Sequence, residues 1–412
     1  MSAGASTLRC LLPGAITGTE PGSQGPAQDL PSAIALLALG FRPFYLLASV
    51  FAALSIPLWA LQVSGLLRHP YLAGPVWHAH EMLFGFTQAV IVGFLFTAAR
   101  NWTGLPTPTG WKLGALACLW IAARILVLTP WTVAAAIANV AFPLVAAAGL
   151  ARPLLQAKNR RNYVFIGALG MLAAASAYVH LAQSAVIAAP AGLGLQVGLD
   201  VVLFLLAVMG GRVIPMFTNN GVPGACATRK TFVELAALGS VLLLLAADAG
   251  GWEGAPVSAI AFTACVAHAG RWWLWQPWKT GKVPLVWILH VAYAWIPVCL
   301  LLRGLGALGA VASSLATHAL TVGAIGGLTI GMMTRTARGH TGRPLRADRR
   351  DTVCYLLVLS AAAVRVAVPA LAPAQTIHAV LVSAVFWSAA FGLYAVGYGP
   401  ALIRRRVDGR PG

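Results

Sequence analysis

Apolar residues fall along this chain in blocks much longer than the about four to eight residues of a buried strand, separated by short joints that are polar or rich in Gly and Pro. A bilayer core of ~30 Å needs about 20 apolar residues per helix. Twelve blocks reach roughly that length, centred on residues 44–64, 76–98, 112–128, 131–151, 162–184, 193–217, 232–250, 254–275, 284–303, 309–334, 352–372 and 376–402. The pattern predicts an all-α, polytopic membrane bundle of about twelve helices forming one domain over 34–403. The short third and fourth blocks also read as one broken unit. Residues 1–33, rich in Gly, Pro, Ser and Ala with too short an apolar core for a secretory signal, read as a flexible cytoplasmic tail, and 404–412 as a second, basic one.

Composition fits that picture, with 59% hydrophobic and 9% charged residues. The formal net charge of +18 would suggest nucleic acid on a soluble chain, but its distribution excludes that partner. Arg100 and Lys112, then Arg152, Lys158, Arg160 and Arg161, then Arg229 and Lys230, then Lys279 and Lys282, then the stretch from Arg335 to Arg350, all follow even-numbered blocks. The joints after odd-numbered blocks hold little more than Arg68, Asp248, Glu253 and Arg303. Short loops rich in Lys and Arg stay cytoplasmic, so both termini and the basic loops are expected there, facing the anionic lipid bilayer. Six cysteines occur singly, without C-x-x-C or C-x-x-C-H, which excludes covalent c-type haem and argues against an iron–sulfur cluster. There is no phosphate-binding Gly-rich loop, no G-x-S-x-G and no evident short internal repeat.

Charge inside hydrocarbon is costly, so polar residues within the blocks point to function. Of ten acidic residues, only Glu81, Asp200 and Glu234 lie within them. Arg124, Arg212 and Arg365 lie near block ends, where snorkelling to the interface is the ordinary account. Histidines sort by depth: His78, His80, His180 and His378 toward the outer face, His318 and His290 nearer the middle, His268 further in, His340 in a cytoplasmic loop and His69 in an outer one. Imidazole is a common metal ligand and an axial ligand of haem iron. Any one buried histidine is more simply explained by a bond to a carbonyl; so many within blocks point to a metal or haem.

The stretch "WHAHEMLFGF" (77–86) follows Pro75, which suits a first helical turn. On a regular helix His78 and Glu81 share a face, whereas His80 is turned about 200° from His78. The pair cannot chelate one ion. Either one ligates while the other serves another neighbour, or the turn is irregular; an interfacial Trp-His-His-Glu cap is the plain alternative. Glu81 is expected beside His78, orienting its ring or carrying protons. "MGGRVIPMFTNNGVPG" (209–224) predicts a kink or stop near Pro215. Gly323, Gly326, Gly327 and Gly331 admit a close helix or a flat cofactor, while adjacent Met332 and Met333 point apart and read as packing.

Taken together, "GFRPFYLLA" (40–48), "WHAHEMLFGF" (77–86), "GFLFTAARNWTG" (93–104), "GGRVIPMF" (210–217), "LHVAYAWIPV" (289–298), and "HAL" (318–320) leading into "RGHTGRPL" (338–345) resemble the NnrS family, in order from about residue 40 to 350. The resemblance implies a multi-pass protein of the bacterial cytoplasmic (inner) membrane, carrying haem and copper and associated with nitric oxide metabolism, nitrosative-stress resistance and denitrification. The matching histidines are His78, His80, His290, His318 and His340, with Glu81, Arg42, Arg212 and Asn101 as polar companions. His180, His268 and His378 match no motif and are expected to be structural. Twelve spans are also similar to the haem–copper oxidase and nitric oxide reductase superfamily, but this chain lacks that superfamily's adjacent His-His pair.

The function so implied is nitric oxide binding at a non-covalent, b-type haem held by one or two of His78, His80, His290 and His318. Copper shares the remaining histidines, His340 included, and Arg42 and Arg212 pair with the haem propionates. Glu81 or Asp200 supplies protons if nitric oxide is reduced, as in a nitric oxide reductase-like oxidoreductase fed by an unidentified electron donor. A secondary transporter moving protons, a metal ion or an iron–nitrosyl species is the alternative, favoured by Gly/Pro interruptions and by Asp200 within a span. A haem-binding sensor is a third.

Overall fold

The computed structural model describes residues 35–63, 65–66 and 71–410; the expected 1–33 tail, Arg68 and His69 lie outside the described residues. Twelve long helices follow one another, here called spans 1 to 12: Phe41–Val63, Gly74–Thr103, Gly110–Leu126, Thr132–Gln156, Val164–Gln183, Ala191–Gly221, Thr231–Ala249, Ala255–Leu274, Pro284–Ala307, Ser313–His340, Arg349–Leu371 and Thr376–Ile403. Ten are long and apolar enough to cross a membrane. Spans 3 and 8 fall short of that measure, span 3 at 17 residues. The chain is therefore a multi-pass helical membrane protein, with no strand among the described residues. Spans 3 and 4 are two helices, not one broken unit.

Local chemistry sets the helix ends. Proline stands in the first turns of spans 2, 8 and 9, where its missing N–H needs no partner. Asp348 and Asp351 form a reciprocal capping box at the start of span 11. Span 6 does not stop at Pro215 but runs on to Gly221, within the stretch 209–224, as a helix can when neighbouring helices satisfy the freed backbone groups. What turns the chain afterwards is Asn219, whose side chain donates to the Ala227 carbonyl (3.0 Å) and accepts from the Ala227 N–H (2.7 Å).

Burial is uneven. Spans 2, 6 and 10 have 78, 67 and 72% of their apolar windows buried, against 33–56% for the other seven that could cross a membrane. Every fourth helix is thus an inner one, shielded from lipid by the rest. The outer helices join into a ring through contacts of span 4 with span 5, span 8 with span 9, and span 12 with span 1. Three four-helix units arranged around spans 2, 6 and 10 describe the molecule.

The first and third units match in detail. Both inner spans switch from α to π geometry just past a histidine, at Glu81–Thr87 after His80 and at Ala319–Gly326 after His318. The identical residues His80/His318, Gly85/Gly323, Gly93/Gly331, Ala99/Ala337, Arg100/Arg338, Thr103/Thr341 and Gly104/Gly342 are all 238 apart in number. Gly104 and Gly342 both take positive φ, at 68° and 76°, where a Cβ would be strained. The same offset, lengthened to 240–244 by small loop differences, relates Pro57 to Pro297, Arg124 to Arg365 and Asn139 to Ser383. This internal repeat is spread over four helices, so no short stretch of sequence displays it.

The paired glycines do the same job in each unit. A Cβ on Gly85 would lie 2.9 Å from the Phe51 ring of span 1, and one on Gly323 would overlap Trp295 of span 9. Close packing of small residues is what drives helix association where lipid is as apolar as the side chains. Gly323→Leu is accordingly expected to destabilise the bundle by about 1–3 kcal/mol, seen as a lower Tm in detergent. Gly167→Ala, where an added Cβ meets nothing within 4 Å, should leave it unchanged.

Candidate cofactor clefts

Each junction between units opens a cleft toward the face opposite the basic loops, and each cleft receives a polar residue from an inner span. His318 of span 10 serves one, His80 of span 2 the next, and Asp200 of span 6 the third.

The cleft between the third and first units contains a cavity of about 430 Å³. It is lined by His78, His318 and Arg365, with Trp59, Ser383 and Trp387 among its walls. His318 donates through Nδ1 to the Ser314 carbonyl one turn back (2.7 Å), which leaves its Nε2 as the other ring atom. The His78 ring lies 4.8 Å from that of Trp59, tilted by 30°, and its buried Nδ1 has no partner. No carboxylate pairs with Arg365 among the described residues. Arg365, at a block end where snorkelling is the ordinary account, lines this cavity.

In the cleft between the first and second units the space is filled by side chains. His80 donates through Nδ1 to Glu81 Oε1 at 2.8 Å, Arg124 Nη1 reaches the same oxygen at 2.6 Å, and Arg124 also bonds Asn139. Asn139 in turn donates to the Ala135 carbonyl at 2.8 Å. His180 closes this cleft, its ring centroid 5.0 Å from that of His80 at an interplanar angle of 74°. Gly85 makes room for Arg124, since a Cβ there would sit 2.6 Å from its Nη1. Glu81 thus stands with His80, not with His78 as helical spacing suggests. Its carboxylate is drawn instead to Arg124 and the adjoining His80 ring. His78 and His80 do face different clefts.

The third cleft, between the second and third units, holds Arg303 pinned between Asp200 (2.6 Å) and Asp248, with Gln196 donating to Asp200 at 3.2 Å. A cavity of about 610 Å³ lies beside them, lined by Gln196, Arg303 and Glu253. It shares Leu199 and Thr317 as wall residues with the His78/His318 cavity. A smaller apolar chamber of about 100 Å³ lies deeper among spans 1, 2, 5, 6, 9 and 10 and shares Thr87 and Ile325 with that same cavity.

The other sequence candidates lie elsewhere. His290 bonds Thr218 Oγ1 through Nε2 at 2.7 Å in the half of the bundle nearer the basic loops. Arg42 donates to the Leu402 and Arg404 carbonyls (3.0 and 2.7 Å), and Arg212 to Asn162 (2.6 Å), both toward the basic-loop face. His340 ends span 10 beside Phe41, with ring centroids 5.6 Å apart. Asn101 is exposed at the end of span 2. His268 has both nitrogens engaged, with Tyr293 (2.7 Å) and the Ala237 carbonyl (3.1 Å), as suits a structural histidine, and His378 is exposed. Glu234 is clamped by Arg271 through 2.9 and 2.7 Å bonds across spans 7 and 8. The residues that sequence reasoning undervalued are Arg124, Arg365, Asn139 and His180. Aligning the repeat would have found the two arginines as equivalents.

Removing one partner of a buried ion pair strands the other at a cost of about 3–5 kcal/mol. Arg124→Ala is therefore expected to lower Tm sharply in detergent, and Arg124→Met combined with Glu81→Gln to recover most of the loss. A single and a double variant of equal stability would show that the pair carries no such weight.

Residues 35–406 match the family model described as NnrS protein, which takes in all twelve spans. No curated protein matches the chain.

Proposed function

The chain belongs to the NnrS family, and we propose that it serves the nitric oxide response of a bacterial inner membrane by binding haem non-covalently in the His78/His318 cavity and, on that haem, nitric oxide. The observation that carries the reading is the cavity of about 430 Å³ in which imidazoles from two different units meet an arginine without a carboxylate partner. Pockets for cofactors and drug-sized ligands run to about 300–1,000 Å³ and combine apolar walls with a few placed polar groups, which is this cavity's make-up.

His78 and His318 are the residues that would hold the iron, one of them giving way where nitric oxide coordinates the metal that bound haem would supply. The chain's own contribution is orientation and exclusion. The Ser314 carbonyl fixes the tautomer of His318 and the Trp59 ring backs His78, the kind of outer support that sets a ligand's direction. Arg365 is the candidate partner for a propionate, in the role that sequence matching offered to Arg42 and Arg212. The neighbouring apolar chamber suits a small, neutral, lipid-soluble gas and keeps water out. Of the two carboxylates considered for proton supply, Glu81 is tied to His80 and Arg124. Asp200 stands beside the polar cavity that shares a wall with the histidine cavity, and so is the better placed should nitric oxide be reduced.

The transporter reading draws on that polar cavity and its Asp200–Arg303–Asp248 cluster, an arrangement at which an ion could pause. Purification in mild detergent separates the two. Protein with about one haem per chain, a Soret band that shifts on anaerobic addition of nitric oxide to the reduced form, and loss of that band in His78→Ala and His318→Ala but not in His290→Ala or His340→Ala is the expected result. Arg365→Ala should weaken haem retention about 10- to 100-fold, as for the loss of a charged hydrogen bond worth about 1.5–3 kcal/mol. Absence of haem, or its loss only in the His290 or His340 variants, would overturn the assignment.

A further inference from the structure

We propose that the apolar chamber beside the histidine cavity is a holding site for a small neutral gas molecule, and that Thr87 and Ile325 form the partition through which the gas passes from one space to the other. These two residues line both spaces. A single layer of side chains therefore divides them. What lies beyond the partition rests on the haem reading above; the chamber itself does not.

Thr87 and Ile325 are 238 apart in number, the offset that relates the first unit to the third, so equivalent positions of spans 2 and 10 make the partition. Both belong to the π segments. Thr87 ends Glu81–Thr87, and Ile325 is next to last in Ala319–Gly326. Thr87 Oγ1 donates to the Met82 carbonyl, five residues back, at 2.8 Å, whereas a threonine in a regular helix bonds the carbonyl about three or four back. Its hydroxyl is thereby engaged on its own helix. Both side chains are buried and β-branched, hence stiff about χ1. Such a partition yields by small displacements and does not swing open, which admits a guest of few atoms and holds back a larger one.

Size and wall chemistry decide the guest. The chamber holds about 100 Å³, well short of the about 300–1,000 Å³ of cofactor pockets but ample for a diatomic molecule, given the about 30 Å³ that a water occupies in the liquid. No charged side chain lines it. Of the hydroxyls on its wall, that of Thr87 is engaged as described and that of Thr329 donates to the Gly326 carbonyl at 3.0 Å. Tyr45 brings the one hydroxyl without a hydrogen-bond partner among the described residues. A buried water needs about two to four polar partners, which a single hydroxyl does not supply, and an apolar cavity short of them stays dry and takes apolar guests. A neutral gas enters such a space without the desolvation cost that an ion or a polar metabolite meets.

Xenon, a neutral guest of similar size, tests the chamber without recourse to haem. Crystals of the full chain under xenon pressure are expected to show xenon among Val202, Leu206 and Leu328, and to lose it in Leu206→Trp, whose indole fills the space. No xenon there in wild type, or equal occupancy in Leu206→Trp, would overturn the holding site. The partition is read by flash photolysis of carbon monoxide from the reduced haem protein in detergent. Part of the released gas should return in a slow geminate phase that xenon suppresses and Leu206→Trp abolishes, and that Ile325→Ala, with a thinner partition, speeds by about tenfold. Rebinding indifferent to xenon and to both substitutions would overturn the passage. Xenon bound in a protein that carries no haem would overturn the proposed function and leave the chamber standing. The partition is then read from the exchange rate of bound xenon, which Ile325→Ala should raise by the same factor and which, if unchanged, would overturn it.

Discussion

A lone pair or a charge inside hydrocarbon must find a partner within the protein, and this molecule's plan follows from that requirement. Nine helices are spent surrounding three. Spans 2, 6 and 10, the most buried of the spans, carry His80, Asp200 and His318, the polar residues that enter the three clefts. The arginines beside them, Arg124, Arg303 and Arg365, come from the surrounding helices and reach inward, Arg303 across a unit junction to Asp200.

Two of the three polar side chains that enter clefts from the inner spans sit beside a local irregularity. The π segments after His80 and His318 provide it twice in the same register, and such turns concentrate where function does. They are tolerated because glycine lets the neighbouring helix close over them. Gly85 admits Arg124 and Phe51, and Gly323 admits Trp295. The irregular backbone, the small residue and the inward-facing imidazole form one device, used in the first unit and again in the third.

Much of the fold was legible because hydropathy in a membrane protein is a statement about single segments. Span ends agree with the apolar blocks to within six residues, and the alternation of basic loops was visible from charge alone. The site was legible only in part. The 200° turn between His78 and His80 correctly separated them into different neighbourhoods, since it depends on helical geometry up to Glu81. Glu81 escaped the same reasoning because the direction of its carboxylate is set by Arg124, which comes from another helix. Arg124 and Arg365 looked like interfacial residues because depth along a helix can be read from sequence, whereas the direction around it depends on what packs there. His180 had no motif to mark it, and its proximity to His80 exists only through the meeting of two units.

The three clefts differ in how their charge is balanced, and that difference separates their roles. Arg303 has two aspartates, and Arg124 has Glu81. Arg365, the counterpart of Arg124 in the third unit, faces two imidazoles and an open cavity lined by no acid among the described residues. Where the first unit has Glu81 after its histidine, the third has Ala319. That exchange removes both the counter-charge and the side chain that would fill the space. An arginine so placed is poorly stabilised by its own chain, and an anionic group from outside it would complete the cleft. The repeat thus builds one frame twice, in the first and third units, and the absence of a carboxylate in the second of these copies makes room, sterically and electrostatically, for a ligand that brings its own.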